Sequence, residues 1–125
     1  MLRLPLLQKF TEIHKRTYSM ALELIKSDNP GPIELSIIGK LTTKLKPSYL
    51  KICNDSHKHS HHAGMRGASN VSESHFRIEV ISDEFEGKNM PMRHRLIYQL
   101  LDDELKNGGV HALQMKTKTS SEVKV

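Results

Sequence analysis

The first clear pattern of apolar and polar positions lies between a cluster of turn residues, 27–32, and Pro47. Apolar side chains recur there at every fourth position, the spacing that places them on one face of a helix. They are Ile33, Ile37, Leu41 and Leu45. Pro32 suits the first turn of such a helix, and Pro47 cannot continue it. The spacing predicts a helix with one buried stripe.

Two predicted strands follow, separated by a long loop. Residues 49–54 predict a short strand that ends before Asp55-Ser56. Residues 75–82 alternate, with Phe76, Ile78 and Val80 on one face. We expect these strands to pair as a hairpin. The loop between them, residues 56–74, is rich in His, Gly, Ser and Asn and holds too little apolar surface to pack by itself.

A second helix and a third strand complete the pattern. Pro91 opens the helix and Asn107-Gly108-Gly109 ends it. Its apolar stripe consists of Met92, Leu96, Ile97, Leu100, Leu101 and Leu105. Residues 110–117 predict the third strand, and residues 119–125 predict a frayed polar tail. The order predicts an α+β fold in which two helices cover one face of a three-stranded mixed sheet.

Topology then places two distant segments together. A right-handed crossover through the second helix makes the second and third strands parallel. The third strand then begins at the same end of the sheet as the second, which is also where the first strand finishes. We therefore expect His111 and the histidine-rich loop to share one edge of the molecule.

Composition limits the chemistry that this fold can carry. The chain has 125 residues, of which 37% are hydrophobic, enough for one small domain, and no apolar run is long enough to span a membrane. The single cysteine, Cys53, excludes an internal disulfide, and we expect it to be a small buried hydrophobe within a strand. Any metal must therefore be held by the eight histidines, by a partner, or by both.

The net charge of +5 lies at the two ends of the chain. Residues 20–115 carry 12 basic and 12 acidic side chains, so the body is neutral. Residues 1–19 are basic and amphipathic, and Arg16-Thr17-Tyr18-Ser19 resembles a mitochondrial cleavage site. They predict a presequence, with an extra helix packed on the domain as the alternative. Residues 20–32 are then a linker, 33–119 the domain and 120–125 a flexible tail.

Four motifs in this order resemble the BolA family. They are Ser72-Glu73-Ser74-His75-Phe76, Phe85-Glu86-Gly87, Arg93-His94-Arg95-Leu96-Ile97-Tyr98 and Val110-His111-Ala112-Leu113. The resemblance implies a KH-like (class II) fold, α-β-β-α-β. It also implies a heterodimer with a monothiol glutaredoxin that shares a 2Fe-2S cluster, held in part by glutathione. For mitochondrial members it implies late maturation of 4Fe-4S clusters in recipient apoproteins of the matrix.

The resemblance further implies two cluster ligands from this chain. One is His111; the other is a loop Cys or His, which falls on His59 when aligned on Asp55-Ser56. The loop is longer than usual for the family, so three neighbouring histidines remain alternatives. They are His57, His61 and His62. Neutral imidazole can replace thiolate on one iron of a 2Fe-2S cluster, as in Rieske centres.

Other residues have less specific interpretations. We expect His75 and His94 to be structural. Arg93 and Arg95 either contact a partner or glutathione carboxylates through their planar forks, or brace the preceding loop.

The sequence supports two other classes of function less well than iron-sulfur cluster assembly. The rival is a KH-like nucleic-acid-binding transcriptional regulator, but Gly64-Met65-Arg66-Gly67 lies between strands rather than between helices. No nucleophile, base and orienting group form a recognisable set, so we expect no enzyme.

Overall fold

The computed structural model describes residues 21–58 and 72–123, so the predicted presequence lies outside the described residues. The elements in chain order are β1 (Glu23–Ile25), α1 (Pro32–Leu45), β2 (Tyr49–Asn54), a 3₁₀ turn (Ser56–Lys58), β3 (His75–Ile81), a second 3₁₀ turn (Asp83–Phe85), α2 (Met90–Leu100), α3 (Asp102–Lys106), β4 (Ala112–Lys118) and α4 (Ser120–Val123). None of the helices within these residues is long and apolar enough to cross a membrane.

The sheet has the α+β arrangement that the sequence predicts, with one more strand. Its order is β1-β2-β3-β4. The predicted hairpin is confirmed, because β2 and β3 pair antiparallel, and β3 and β4 are parallel as expected. The prediction of three strands with a linker over residues 20–32 is wrong, because β1 pairs parallel with β2. All three residues of β1 are exposed, so the strand carries no alternating pattern that a sequence reading could detect.

The hydrophobic core lies between one face of the sheet and the helices. Buried residues of α1 and α2 share a single apolar cluster with the inward side chains of β2 and β3. The strand members of that cluster are Leu50, Ile52, Phe76, Ile78 and Val80. The helix α1 ends where Lys46 adopts a left-handed conformation, φ 45°, and donates its N–H to the Thr42 carbonyl. The outward side chains of β2, β3 and β4 form the opposite face, called the open face, and in the described part of the chain they are half-buried or exposed.

The second helical region differs from its prediction. The helix is interrupted at Leu101, so two helices, α2 and α3, replace the single predicted helix. Leu101 is fully buried. The apolar pattern therefore continues across the interruption, and the pattern alone does not indicate where the helix ends. Met92 was expected in the buried stripe but is 45% exposed.

Residues 119–123 begin a short helix where a frayed polar tail was predicted. Thr119 is buried and Glu122 lies on α4. The Thr119 hydroxyl accepts from the Glu122 N–H, and the Glu122 carboxylate accepts from the Thr119 N–H, which is a capping box.

A buried carboxylate joins α3 to α1. Glu104 accepts hydrogen bonds from the Ser36 hydroxyl (2.8 Å) and the Lys40 ammonium (3.0 Å). Burial raises the pKa of the Glu104 carboxyl, but the hydrogen bonds from Lys40 and Ser36 outweigh burial, so this pKa lies below its ordinary value. The charged carboxylate thus stabilises the fold above its unfolded-state pKa, and that contribution disappears as pH falls through the folded-state pKa.

We therefore expect the stability difference between the wild-type chain and Glu104→Gln to shrink as pH falls from about 5 towards 3. Urea unfolding midpoints across this range measure it. Glu84→Gln, at an exposed position, is the matched control for the loss of any carboxylate. A difference between wild type and Glu104→Gln that stays constant with pH, beyond the trend of the control, would contradict the prediction.

Candidate metal-binding edge of the sheet

Three strand ends meet at one edge of the sheet. In the register, Asn54 at the end of β2 faces Phe76, and His75 at the start of β3 faces Ala112 at the start of β4. His111 immediately precedes β4. The prediction that His111 lies where β2 ends and β3 begins is confirmed for the described residues.

This edge brings two histidines together. The ring centroids of His75 and His111 lie 5.7 Å apart, with an interplanar angle of 36°. His111 is exposed and His75 is half-buried. His75, expected to be a structural residue, is thus the neighbour of the predicted ligand.

Ser74 holds both histidines. Its hydroxyl lies 2.8 Å from Nδ1 of His75. Its carbonyl accepts hydrogen bonds from the backbone N–H groups of His111 (2.6 Å) and Ala112 (3.1 Å). Ser74 is fully buried, so it fixes the His75 ring and the backbone at His111 from the interior.

Ser56 supports the same edge from the end of β2. Its hydroxyl accepts from the N–H groups of Ser74 (2.8 Å) and His75 (3.1 Å). The side-chain Oδ1 of Asn54 in turn accepts from the Ser56 hydroxyl, and its Nδ2 donates to the Ser72 carbonyl at 2.9 Å. Both ends of the histidine-rich loop are therefore fastened to the sheet.

Glu73 ties this edge to α1. Its Oε1 accepts from the backbone N–H of Glu34 (2.9 Å) in the first turn of that helix, where a negative charge is favoured. A Cβ at Gly31 would lie 2.5 Å from the Glu73 carboxyl carbon, so a larger residue there would displace this carboxylate. The segment 72–76 thus has a structural role, because Glu73 and Ser74 join α1, β3 and β4, and it also places His75 at this edge.

Replacing Glu73 with alanine removes this cap and leaves the Glu34 N–H without its partner. We expect the free energy of unfolding to fall by about 1–2 kcal/mol in urea denaturation. Glu73→Gln keeps an oxygen acceptor and is expected to lose less. If Glu73→Ala and the wild-type chain unfold at the same urea concentration, the capping role is wrong.

The other predicted site residues are distributed unevenly. His57 is exposed in the Ser56–Lys58 turn, at the start of the loop. The remaining loop candidates, His59, His61 and His62, lie outside the described residues, as does the segment Gly64-Met65-Arg66-Gly67. His94 is half-buried on α2.

The two predicted partner-binding arginines have different surroundings. Arg93 is 7% exposed and Arg95 is exposed, although both lie on α2. The guanidinium of Arg93 bonds to backbone carbonyls of this chain. Arg93 therefore braces the fold, and Arg95 is the one of the pair that presents its side chain to solvent.

Cys53 differs from its prediction as a buried hydrophobe. It is half-buried on the open face of the sheet, because neighbouring Ile52 takes the inward position. It lines a shallow cavity of about 350 Å³, together with four charged residues, Lys51, Arg77, Glu79 and Lys116. The Arg77 guanidinium donates to Asp55 at 2.9 Å, and this hydrogen bond raises the pKa of Arg77.

The described residues of this edge can supply imidazole ligands, but they do not form a complete metal site by themselves. Among residues 21–58 and 72–123, no three or more His, Cys, Asp or Glu side chains are grouped to hold a metal ion.

The fold and this edge define a small α+β protein with a mixed sheet, helices on one side, and an exposed histidine at the start of the last strand. The family model for BolA-like proteins matches residues 41–122. The chain belongs to the BolA-like family.

Similar proteins support this assignment. UV-induced protein uvi31 of Schizosaccharomyces pombe is 49% identical over 84 residues, covering 66% of this chain and 81% of the yeast protein. SufE-like protein 1, chloroplastic/mitochondrial, of Arabidopsis thaliana is 47% identical over 94 residues, covering 74% of this chain but only 25% of that protein. The solved BolA domain of Arabidopsis SufE1 has a TM-score of 0.66 and 39% identity, over 76% of this chain and 100% of the domain.

Proposed function

We propose that this chain is an iron-sulfur cluster assembly factor that pairs with a monothiol glutaredoxin. In this proposal the heterodimer shares a 2Fe-2S cluster and assists the late maturation of 4Fe-4S proteins in the mitochondrial matrix. Membership of the BolA-like family supports it. So do the basic residues 1–19 and the organelles named for the Arabidopsis relative. The single observation that carries it is the exposed His111, held at an edge next to the histidine-rich loop.

The chemistry of imidazole suits a shared cluster. The partner would contribute its cysteine and the glutathione thiol, and this chain would contribute His111 and one loop histidine, His59 or its neighbours. Neutral imidazole binds iron of a 2Fe-2S centre in place of thiolate and changes its potential and lability. The chain itself has one cysteine, on the open face, so histidine is its natural donor at this edge.

The backbone around His111 explains how the chain would present this ligand. Two hydrogen bonds to the Ser74 carbonyl fix the start of β4, so His111 is fixed at its backbone while its side chain is exposed. A ligand held in this way needs little ordering when a partner arrives, which lowers the entropic cost of association. The open edge also leaves the cluster accessible to a recipient apoprotein.

The test mixes the chain with cluster-loaded monothiol glutaredoxin and glutathione, and follows visible circular dichroism and native mass. We expect a heterodimer mass and a spectrum distinct from that of the glutaredoxin homodimer. His111→Ala is expected to lose the new spectrum while retaining the far-ultraviolet spectrum of the fold. His94→Ala, a half-buried histidine on α2, is the matched control.

Two outcomes would count against the proposal. If no heterodimer forms with the wild-type chain, the partnership is wrong. If His111→Ala gives an unchanged spectrum and transfer rate, the assignment of His111 is wrong. If the heterodimer forms and its spectrum depends on His111, single alanine variants identify the loop ligand among His57, His59, His61 and His62.

The second candidate function is binding of a nucleic acid, and the cavity on the open face favours it. Three of its lining side chains are cationic: Lys51, Arg77 and Lys116. However, Arg77 is paired with Asp55, and both lysines lie about 4 Å from Glu79 (3.9 and 4.0 Å), which leaves little unpaired charge. Affinity for DNA or RNA that falls steeply with salt would support this function over the first.

A further inference from the structure

The last strand, β4, forms one edge of the described sheet and is pairing-competent along its inner side. There it runs parallel to β3. The Ala112 N–H donates to the Ser74 carbonyl, and the Lys118 carbonyl accepts from the Ser82 N–H. Because the backbone groups of a strand alternate in direction with a period of two, the even-numbered residues of β4 bond to β3. The odd-numbered residues point their backbone groups away from the sheet.

The outward backbone groups of β4 are partnered at the ends of the strand but not in its middle. At one end the Arg93 guanidinium donates to the Thr117 carbonyl at 3.2 Å. At the other end the His111 N–H, just before the strand, donates to the carbonyl that precedes β3. Between them, the N–H and C=O groups of Leu113 and Met115 have no hydrogen-bond partner among the residues that the structure describes. The free edge is therefore two donors and two acceptors.

These four groups are self-complementary across a two-fold axis. In an antiparallel pair, opposed residues alternately exchange two hydrogen bonds and none. With Gln114 of one protomer opposite Gln114 of the other, Leu113 faces Met115 and Met115 faces Leu113. All the free groups of both copies are then paired. A shift of the register in either direction would need the Thr117 carbonyl or the His111 N–H, and both are already engaged.

The side chains of β4 fit this register as well. Leu113 and Met115 are half-buried and pack against the core, so they would continue the apolar face from one protomer to the next. On the open face, Lys116 would lie opposite Ala112, which keeps the lysines of the two copies from facing each other. Gln114, on the two-fold axis, carries a donor and an acceptor and can hydrogen-bond to its own copy.

We propose that two copies of this chain associate through β4, which joins their four-stranded sheets into one sheet with the two Gln114 residues opposed at its centre. Because both copies use the same strand, the contact is isologous and closes at two copies. The paired segment is short, so the dimer is weak and depends on protein concentration. It needs neither a glutaredoxin nor a metal, and it is independent of the proposed function.

Sedimentation velocity of the full chain under reducing conditions, over a range of concentrations, tests this dimer. Gln114→Lys and Gln114→Glu should each weaken it about fivefold, because like charges then face each other across the axis. An equimolar mixture of the two variants should restore it, because the opposed charges are then of opposite sign. Gln99→Lys and Gln99→Glu, at an exposed position on α2, are the matched controls and should leave association unchanged.

A second pair of variants tests the register and the edge. Gln114→Cys in a chain carrying Cys53→Ser should form a disulfide-linked dimer in air, because opposed residues of a non-hydrogen-bonded pair have Cα atoms about 4.5 Å apart. Gln99→Cys in the same background should stay monomeric. Met115→Pro removes an outward N–H without removing a bond to β3, so it should abolish association and retain the circular dichroism of the fold.

Three results would overturn the proposal. The first is a wild-type chain that stays monomeric up to about 1 mM. The second is self-association that both Gln114 charge variants leave unchanged, which would place the contact elsewhere on the chain. The third is a mixture of these variants that associates no better than either alone. If Met115→Pro proves to be unfolded, the charge variants and the cross-link decide the question. No partner protein is present, so these outcomes are separate from those of the heterodimer test.

Discussion

Replacing Phe85 with alanine is expected to lower the free energy of unfolding by about 3–5 kcal/mol. Phe85 ends the 3₁₀ turn between β3 and α2, and its side chain is completely buried. The guanidinium of Arg93 lies 5.7 Å from its ring centroid, which adds a cation–π contact. Truncation removes this contact and leaves a cavity that the surrounding strands and helix cannot fill.

Urea denaturation followed by circular dichroism measures this loss. The transition should move to lower urea with an unchanged slope, as expected for a pure change in stability. Tyr98→Ala is the matched aromatic control, because Tyr98 is 44% exposed and should change stability by no more than about 0.5 kcal/mol. A loss in Phe85→Ala as small as that in Tyr98→Ala would show that the Phe85-Glu86-Gly87 motif does not anchor the core.

Elements with a one-sided apolar pattern could be predicted from sequence. The helix α1 and the strand β2 occupy the predicted positions, since their buried residues are apolar apart from Glu34 in α1, and breakers flank them. The strand β1 could not be predicted in this way. It is held by backbone pairing with β2, including the Glu23 N–H to the Ser48 carbonyl at 3.0 Å, and its side chains do not face the core. Backbone hydrogen bonds leave no side-chain pattern.

A different signal was available for the end of the chain. Thr119 and Glu122 have the spacing of a capping box, which predicts a helix start at residues treated as a frayed tail. By contrast, nothing in the apolar pattern marks the break at Leu101, because a buried leucine fits either a continuous or an interrupted helix.

The candidate site was likewise predictable from sequence only in part. Strand order alone predicts that His111 shares an edge with the loop, because it depends only on which strands are parallel. The contact between His75 and His111 depends on the register, and a slip of one residue would turn His75 to the other face. The frame made by Glu73 and Ser74 likewise depends on contacts with α1 and β4 that no local spacing contains.

Replacing Arg93 with lysine is expected to cost about 2–3 kcal/mol, although the charge is kept. The Arg93 Nε donates to the Lys88 carbonyl (2.8 Å) and its Nη1 to the Thr117 carbonyl (3.2 Å). Nη1 also lies 2.7 Å from the Glu122 carboxylate. A single ammonium cannot reach this set of acceptors with the geometry of a planar fork, so buried carbonyls lose their donors.

Arg95→Lys is the matched control, because Arg95 lies on the same helix but is exposed. It should leave the urea midpoint unchanged. If Arg95 contacts a partner through its fork, Arg95→Lys weakens the heterodimer without destabilising the chain, whereas Arg93→Lys destabilises the chain first. Equal stability of the two variants would contradict the bracing role of Arg93. The pair of measurements therefore distinguishes structural support by Arg93 from the partner contact that the sequence predicts for Arg95.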